Sequence, residues 1–279
     1  VYAFGYQQQL LEGFPVQLLV APNGEAIACV RRRAGHETPA EIGVYEARLD
    51  WGKPPIAGLA ALLREHHLES TSSGSFEPGT PWESFDVERG DSSGTHVFRA
   101  LAALPPPYLE IRAAAHQILA ALAAHPLRAL TVAAMKVTGS LEPGAPAEIS
   151  FELRNRGKGR ARVSNPRDLE TGGAMALQLH MVRVTESEEG PIEVIVETID
   201  LGTLELRTGP HSALPTDRDS LEIPAGGALA CRATVPWPRM RPGVYPTRWV
   251  SISGGDPMEI EDWVSGRLEV RGPEVTVPA

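Results

Sequence analysis

The chain has 279 residues, 42% of them hydrophobic, and a formal net charge of −9. That length suits two domains, and the longest apolar stretches, Ile56–Leu63 and Ala113–Ala124, fall short of the roughly 18–20 residues that cross a bilayer, so no membrane span is expected. Both halves are acidic and the densest basic run is only Arg31-Arg32-Arg33, which argues against nucleic acid as a partner, because phosphate neutralisation needs a larger basic footprint.

Val16–Val20 and Ala26–Val30 are β-prone runs separated by Ala21-Pro22-Asn23-Gly24-Glu25. Proline presets the first turn position and Asn23-Gly24 supplies a left-handed residue, so this is a hairpin. Glu41–Leu49 alternates and reads as a third strand. After Pro54-Pro55 the period changes: Ile56, Leu59, Leu62, Leu63 and His66 recur at helical steps, ending near Leu68. Trp82–Glu88 and Thr95–Leu101 are strands around a turn at residues 89–94, and Pro105-Pro106-Pro107 opens a second helix over Tyr108–His125. Residues 1–128 are therefore expected to form an α+β domain, an antiparallel sheet with two covering helices.

From residue 129 to 279 no helical period returns. About ten short strands follow, among them Ala129–Thr138, Ala147–Leu153, Ala174–Val184, Ile192–Ile199, Ala228–Val235, Tyr245–Ile252 and Trp263–Val270, with glycine and proline turns between them. That pattern predicts an all-β sandwich. Pro143-Gly144 leads into a strand ending in Asn155-Arg156-Gly157, and this resembles the opening of bacterial immunoglobulin-like domains. Ile223–Gly227 and Arg241–Tyr245 resemble the late part of such domains, including those similar to the intracellular proteinase inhibitor family. The resemblance covers roughly residues 130–272 and rests on turn chemistry. It implies an immunoglobulin-like sandwich in which Tyr245 bonds its hydroxyl to nearby backbone, and it carries over no inhibitory loop.

The search for reactive motifs is mostly negative. His36-Glu37 lacks the second histidine of a zinc hydrolase, and Pro39 stands in the way. His66 and His67 are adjacent on a helix and point about 100° apart, a poor geometry for one metal, so both read as a favourable charge at a helix C-terminus and as candidate contact residues. Gly90-Asp91-Ser92-Ser93-Gly94 has the letters of a nucleophile elbow but leads into a strand where a helix is required. Gly52-Lys53 and Gly157-Lys158 lack the earlier glycine of a phosphate loop. Asp217 and Asp219 supply two oxygen-bearing side chains in a loop, fewer than a calcium ion takes. Cys29 and Cys231 lie in apolar strands, which favours two buried thiols over a disulfide. No cofactor, metal site or catalytic residue is expected.

Of the tryptophans, Trp249 and Trp263 fall on expected strands, whereas Trp237 between Pro236 and Pro238 reads as an exposed strand end and the best single contact candidate. The arginine-rich, lysine-poor composition reads as the coding bias of a bacterial genome. The chain starts at Val1 with no signal-peptide pattern; the compartment is left open, with a reducing cytoplasm favoured by the thiols. The leading expectation is a non-catalytic bacterial protein-interaction, adaptor or immunity-type module with another protein as partner. An extracytoplasmic carbohydrate- or surface-binding accessory protein is the second reading. An enzyme with an interdomain site, using Ser92, His66, His67 or His96, is the third.

Overall fold

The polar run Gln7-Gln8-Gln9 hides a strand that the sequence reading passes over. In β1 (Ala3–Gln9) the inward positions are Phe4 and Tyr6, preceded in register by Tyr2, and all three are buried. The computed structural model describes residues 2–9, 16–30, 32–33, 41–75, 77, 80–100, 102–164, 176–187, 190–200, 205–207, 220–253, 264 and 266–278. The described chain is rich in strands and has two α-helices, and it divides into two units: Val1–Arg32 with Gly43–Leu127, and Arg33–Ile42 with Arg128–Ala279.

In the first unit β1 is followed by β2 (Val16–Val20) and β3 (Glu25–Val30). Gly24 closes their turn at φ +84°, with its N–H donating to Ala21 at 2.9 Å. A side chain there would also collide with the Leu49 carbonyl, 2.0 Å from where its Cβ would stand. A two-residue strand β4 (Arg32–Arg33) at the boundary between the units, outside the sheet of this one, precedes β5 (Ile42–Arg48), α1 (Ile56–His66), β6 (Trp82–Arg89), β7 (Ser92–Arg99) and α2 (Tyr108–Leu122). The strands of this unit are antiparallel in the order β5-β3-β2-β1-β6-β7. Register lines up Tyr45, Ala28, Leu18, Tyr6, Phe85 and His96 as one row across the sheet, and all six are buried. The small Ala26 and Ala28 on β3 let α2 approach the sheet, and α2 buries Ile111, Ala114, Ala115, Ile118 and Leu122. Helix α1 buries Ile56, Leu59, Ala60 and Leu63 at the spacing that the sequence shows.

In the second unit the chain continues as β8 (Pro126–Gly139), β9 (Pro146–Asn155), β10 (Ala161–Ser164), β11 (Ala176–Ser187), β12 (Gly190–Asp200), β13 (Glu205–Arg207), β14 (Ser220–Ile223), β15 (Ala228–Pro236), β16 (Gly243–Tyr245), β17 (Thr247–Ser253), β18 (Gly266–Arg271) and β19 (Val275–Val277). Strands β13-β15-β9-β8 are neighbours in that order, and so are β12-β11-β17-β18. Side chains from both groups meet in one apolar core: Ile149, Phe151 and Leu153 of β9 and Leu229, Cys231 and Ala233 of β15 share it with Leu179 and Met181 of β11 and Leu268 of β18. Residues Arg33–Ile42 group with this unit rather than with the first half. Ile42 lies in the core and Glu41 pairs with Arg156 at 3.0 Å.

Two polar side chains fasten the corners. Asn155 is 1% exposed; its oxygen accepts from the N–H groups of Ala129 (3.2 Å) and Gly157 (2.9 Å). Its amide lies within bonding distance of the carbonyls of Gly159, Ile223 and Pro224, at 2.8, 3.1 and 3.1 Å. Tyr245 donates its hydroxyl to the carbonyl of Arg241 at 2.9 Å, the bond that its position near a corner implies.

Candidate functional site

Of the residues expected to make contacts, His66 and His67 belong to the first unit and Trp237 to the second. His66 closes α1 and His67 caps it in the left-handed conformation at φ 50°, and both are exposed. Among the described residues no group of three or more His, Cys, Asp or Glu side chains could hold a metal. Asp217 and Asp219 lie outside the described residues, as do Trp263 and the side chain of Trp249. Cys29 and Cys231 are buried thiols outside any disulfide, and burial pushes the Cys231 thiol up to about 12.

Trp237 requires a correction. It is 1% exposed and belongs to the core of the second unit. The inward face of β15 runs Leu229, Cys231, Ala233, Val235, and Trp237 is the next odd position. The flanking prolines end the ladder without changing that parity. The turn at residues 142–145 then holds the backbone, with Trp237 N–H donating to Ala145 at 2.8 Å and Gly144 N–H donating to Trp237 at 2.8 Å. The indole N–H has no hydrogen-bond partner among the described residues, so the ring serves as apolar filling.

The first unit holds two buried polar groups that no motif announced. Tyr6 on β1 donates its hydroxyl to Glu83 on β6 at 3.4 Å and lies 3.3 Å from Nε2 of His116 on α2. Arg112, one turn before His116, pairs with the other oxygen of Glu83 at 3.2 Å. Burial raises the Glu83 carboxyl above its ordinary range, and Arg112 offsets this only in part. Burial also raises the Tyr6 phenol, with Glu83 adding to it, and partial burial followed by Arg112 lowers His116. This network ties α2 to the sheet.

The second group centres on His96, which is fully buried. Nε2 lies 3.0 Å from the Leu68 carbonyl, which can only accept, so Nε2 carries the proton and Nδ1 faces the hydroxyls of Tyr108 (2.8 Å) and Ser73 (3.1 Å). A serine beside an imidazole is the start of a nucleophile pair. Here Tyr108 makes the shorter bond to the nitrogen that would have to act as base, and the Ser73 N–H is already given to Thr95 at 3.1 Å. The arrangement pins the segment at Thr71–Ser75 against β7. Gly94 permits that fit, since a Cβ there would stand 2.2 Å from the carbonyls of both Leu68 and Thr71.

The feature with the clearest bearing on partners is in the second unit. Strands β11 and β12 form a long antiparallel hairpin, and β12 is the end strand of its sheet among the described residues. At its base Leu179, Met181, Val182 and Ile199 are buried. Beyond them Val184, Ile192, Val194, Ile195 and Val196 are each 40–51% exposed. Successive side chains on a strand point to opposite faces, so exposure of the regularly paired Val194 and Ile195, just before the bulge at Val196, bares apolar side chains on both faces of the arm. Glu193 on the same strand reaches back to Arg248 and to Arg271, the latter at 2.9 Å. No protein-family model and no curated protein sequence matches the chain.

Proposed function

We propose that this chain is a non-catalytic bacterial protein-interaction module of the adaptor or immunity type, and that its second unit is an immunoglobulin-like sandwich. The fold reading is supported by the Tyr245 corner, by Asn155 at the end of β9 and by two strand groups around one core. The functional reading is carried by one observation, the apolar, doubly exposed end strand β12. An end strand offers unpaired backbone groups, and proteins that do not use such an edge usually blunt it. The occupant that fits is an extended segment of another protein that adds a strand to β12, with β-branched side chains opposite Ile192–Val196 and a lysine or arginine near Glu197. The charge of −9 on this chain favours that basic partner strand over a second acidic copy.

The test is fluorescence anisotropy with a labelled peptide of alternating valine and lysine, run beside sedimentation velocity of the chain alone. Saturable binding at roughly micromolar concentration is expected. Val194→Asp with Val196→Asp should weaken it about tenfold or more while leaving the circular dichroism unchanged, because both side chains are exposed. Binding that ignores the double substitution, or no binding, sinks the reading. A dimer that dissociates on the same substitution would replace the foreign strand with a second copy.

A further inference from the structure

We propose that a cleft in the first unit, built between the β2–β3 turn, the end of β5 and helix α1, binds a small organic anion: a planar aromatic ring carrying one carboxylate or phosphate. The cleft encloses about 660 Å³, within the range of small-molecule sites. Arg48 of β5, Ala60 and Arg64 of α1 and the hydrogen-bonded turn at Pro22 and Asn23 supply much of the wall.

The aromatic wall is Trp51 with Tyr2. Trp51 donates its indole N–H to the Ala21 carbonyl at 3.2 Å, the carbonyl that also closes the β2–β3 turn. The Tyr2 ring stands 6.4 Å away at 45°, backed by the Arg89 guanidinium 5.3 Å from its centre. Trp51 is only partly buried and lines the cleft, which puts an aromatic ring within reach of a stacking partner. Tyr2 lines it too; it is 4% exposed, yet its buried hydroxyl has no hydrogen-bond partner among the described residues.

The charge comes from Arg48 at the end of β5 and Arg64 on α1, both exposed and both lining the cleft. Neither guanidinium is engaged in an ion pair among the described residues, whereas Arg89, Arg99 and Arg112 of the same unit all are. Asp50 is the one carboxylate in the lining. It is already held by Lys53 at 3.5 Å and by the Gly52 N–H at 2.9 Å, and that N–H first, with Lys53, keeps its carboxyl below the ordinary range. The two free guanidiniums therefore dominate, and their planar forks suit a carboxylate or phosphate. Arg64 lies one helical turn beyond Ala60, whose small side chain leaves the space in front of it. This site is independent of β12 and stands or falls separately from the strand-addition reading.

Isothermal titration and tryptophan fluorescence would test it with phenyl phosphate, benzoate and adenosine monophosphate, and with inorganic phosphate and adenosine as controls that lack the ring or the charge. At least one ring-bearing anion is expected to bind about tenfold tighter than either control, and the preference between phenyl phosphate and benzoate names the acid group. Arg48→Gln and Arg64→Gln should each weaken binding by about tenfold, and Trp51→Leu should remove the preference for a ring and the fluorescence change. Unchanged circular dichroism of the arginine variants shows that the fold is kept. No binding by any anion at about 5 mM, or binding that both arginine variants retain in full, overturns the assignment.

Discussion

The two units fasten their elements with different buried polar groups. At its corners the second unit uses neutral ones, Asn155, with its oxygen and amide both engaged by backbone, and Tyr245 on the carbonyl of Arg241, beside the pair that buried Glu41 makes with Arg156. The first unit buries ionisable ones: Glu83 with Tyr6, Arg112 and His116 beneath α2. A neutral amide fills its hydrogen-bonding capacity from fixed carbonyls and N–H groups, so its contribution does not change with pH. A buried carboxyl beside an arginine and a histidine makes the attachment of a helix depend on proton concentration.

The comparison can be broken by experiment. The largest effect expected is Asn155→Ala, which strands five backbone groups in three segments and should cost about 3–5 kcal/mol in urea unfolding, with the same cost across the neutral range. A cost that varied with pH would remove the contrast. Tyr245→Phe deletes a single hydroxyl bond and should cost about 1 kcal/mol, again without pH dependence.

The smallest effects sharpen the other side. A raised Glu83 carboxyl means that the folded chain binds that proton more tightly than the unfolded one. The contribution of Glu83 is therefore complete below its ordinary value of 4.5 and is lost as pH rises through the raised one. The stability of Glu83→Gln relative to the parent should accordingly increase between about pH 4 and 7. His116 is shifted downward from 6.5, so its contribution is present above that value and is lost as pH falls. His116→Gln should gain on the parent as pH drops from about 7 to 5. The two windows overlap and have opposite signs, so the parent curve should be flatter than that of either variant.

How much of this was legible follows from sequence distance. The turn at Pro22-Asn23-Gly24 and the helices after Pro55 and Pro107 are local chemistry, and the structure places them within a turn of the expected bounds. Strand β1 was missed because three glutamines mask an alternation of only three aromatic positions. The prolines beside Trp237 suggest an exposed strand end, whereas the parity of β15, readable from Leu229 onward, points the ring inward. The Glu83 network joins residues 77 and 110 positions apart, and no single-chain pattern announces such a meeting. The run Ile192-Glu193-Val194-Ile195-Val196 was read correctly as a strand, but a nearly continuous apolar run is the mark of a strand buried on both faces. Nothing local distinguishes that from an arm bare on both. In the sequence the arginines of the cleft are part of a general arginine excess, and what marks them in the structure is their place in one cleft with no ion pair among the described residues.

The two thiols have a practical consequence. Cys29 and Cys231 are both buried, and the Cys231 thiol is held at about 12, far from its reactive anion at neutral pH. Maleimide chemistry should therefore pass over the native chain. A cysteine introduced at exposed Val194 on the arm, or at Asn23 on the rim of the cleft, would carry a fluorophore or spin label on its own. The same unmodified background would then report partner strand and small anion separately, each from a probe beside its own site.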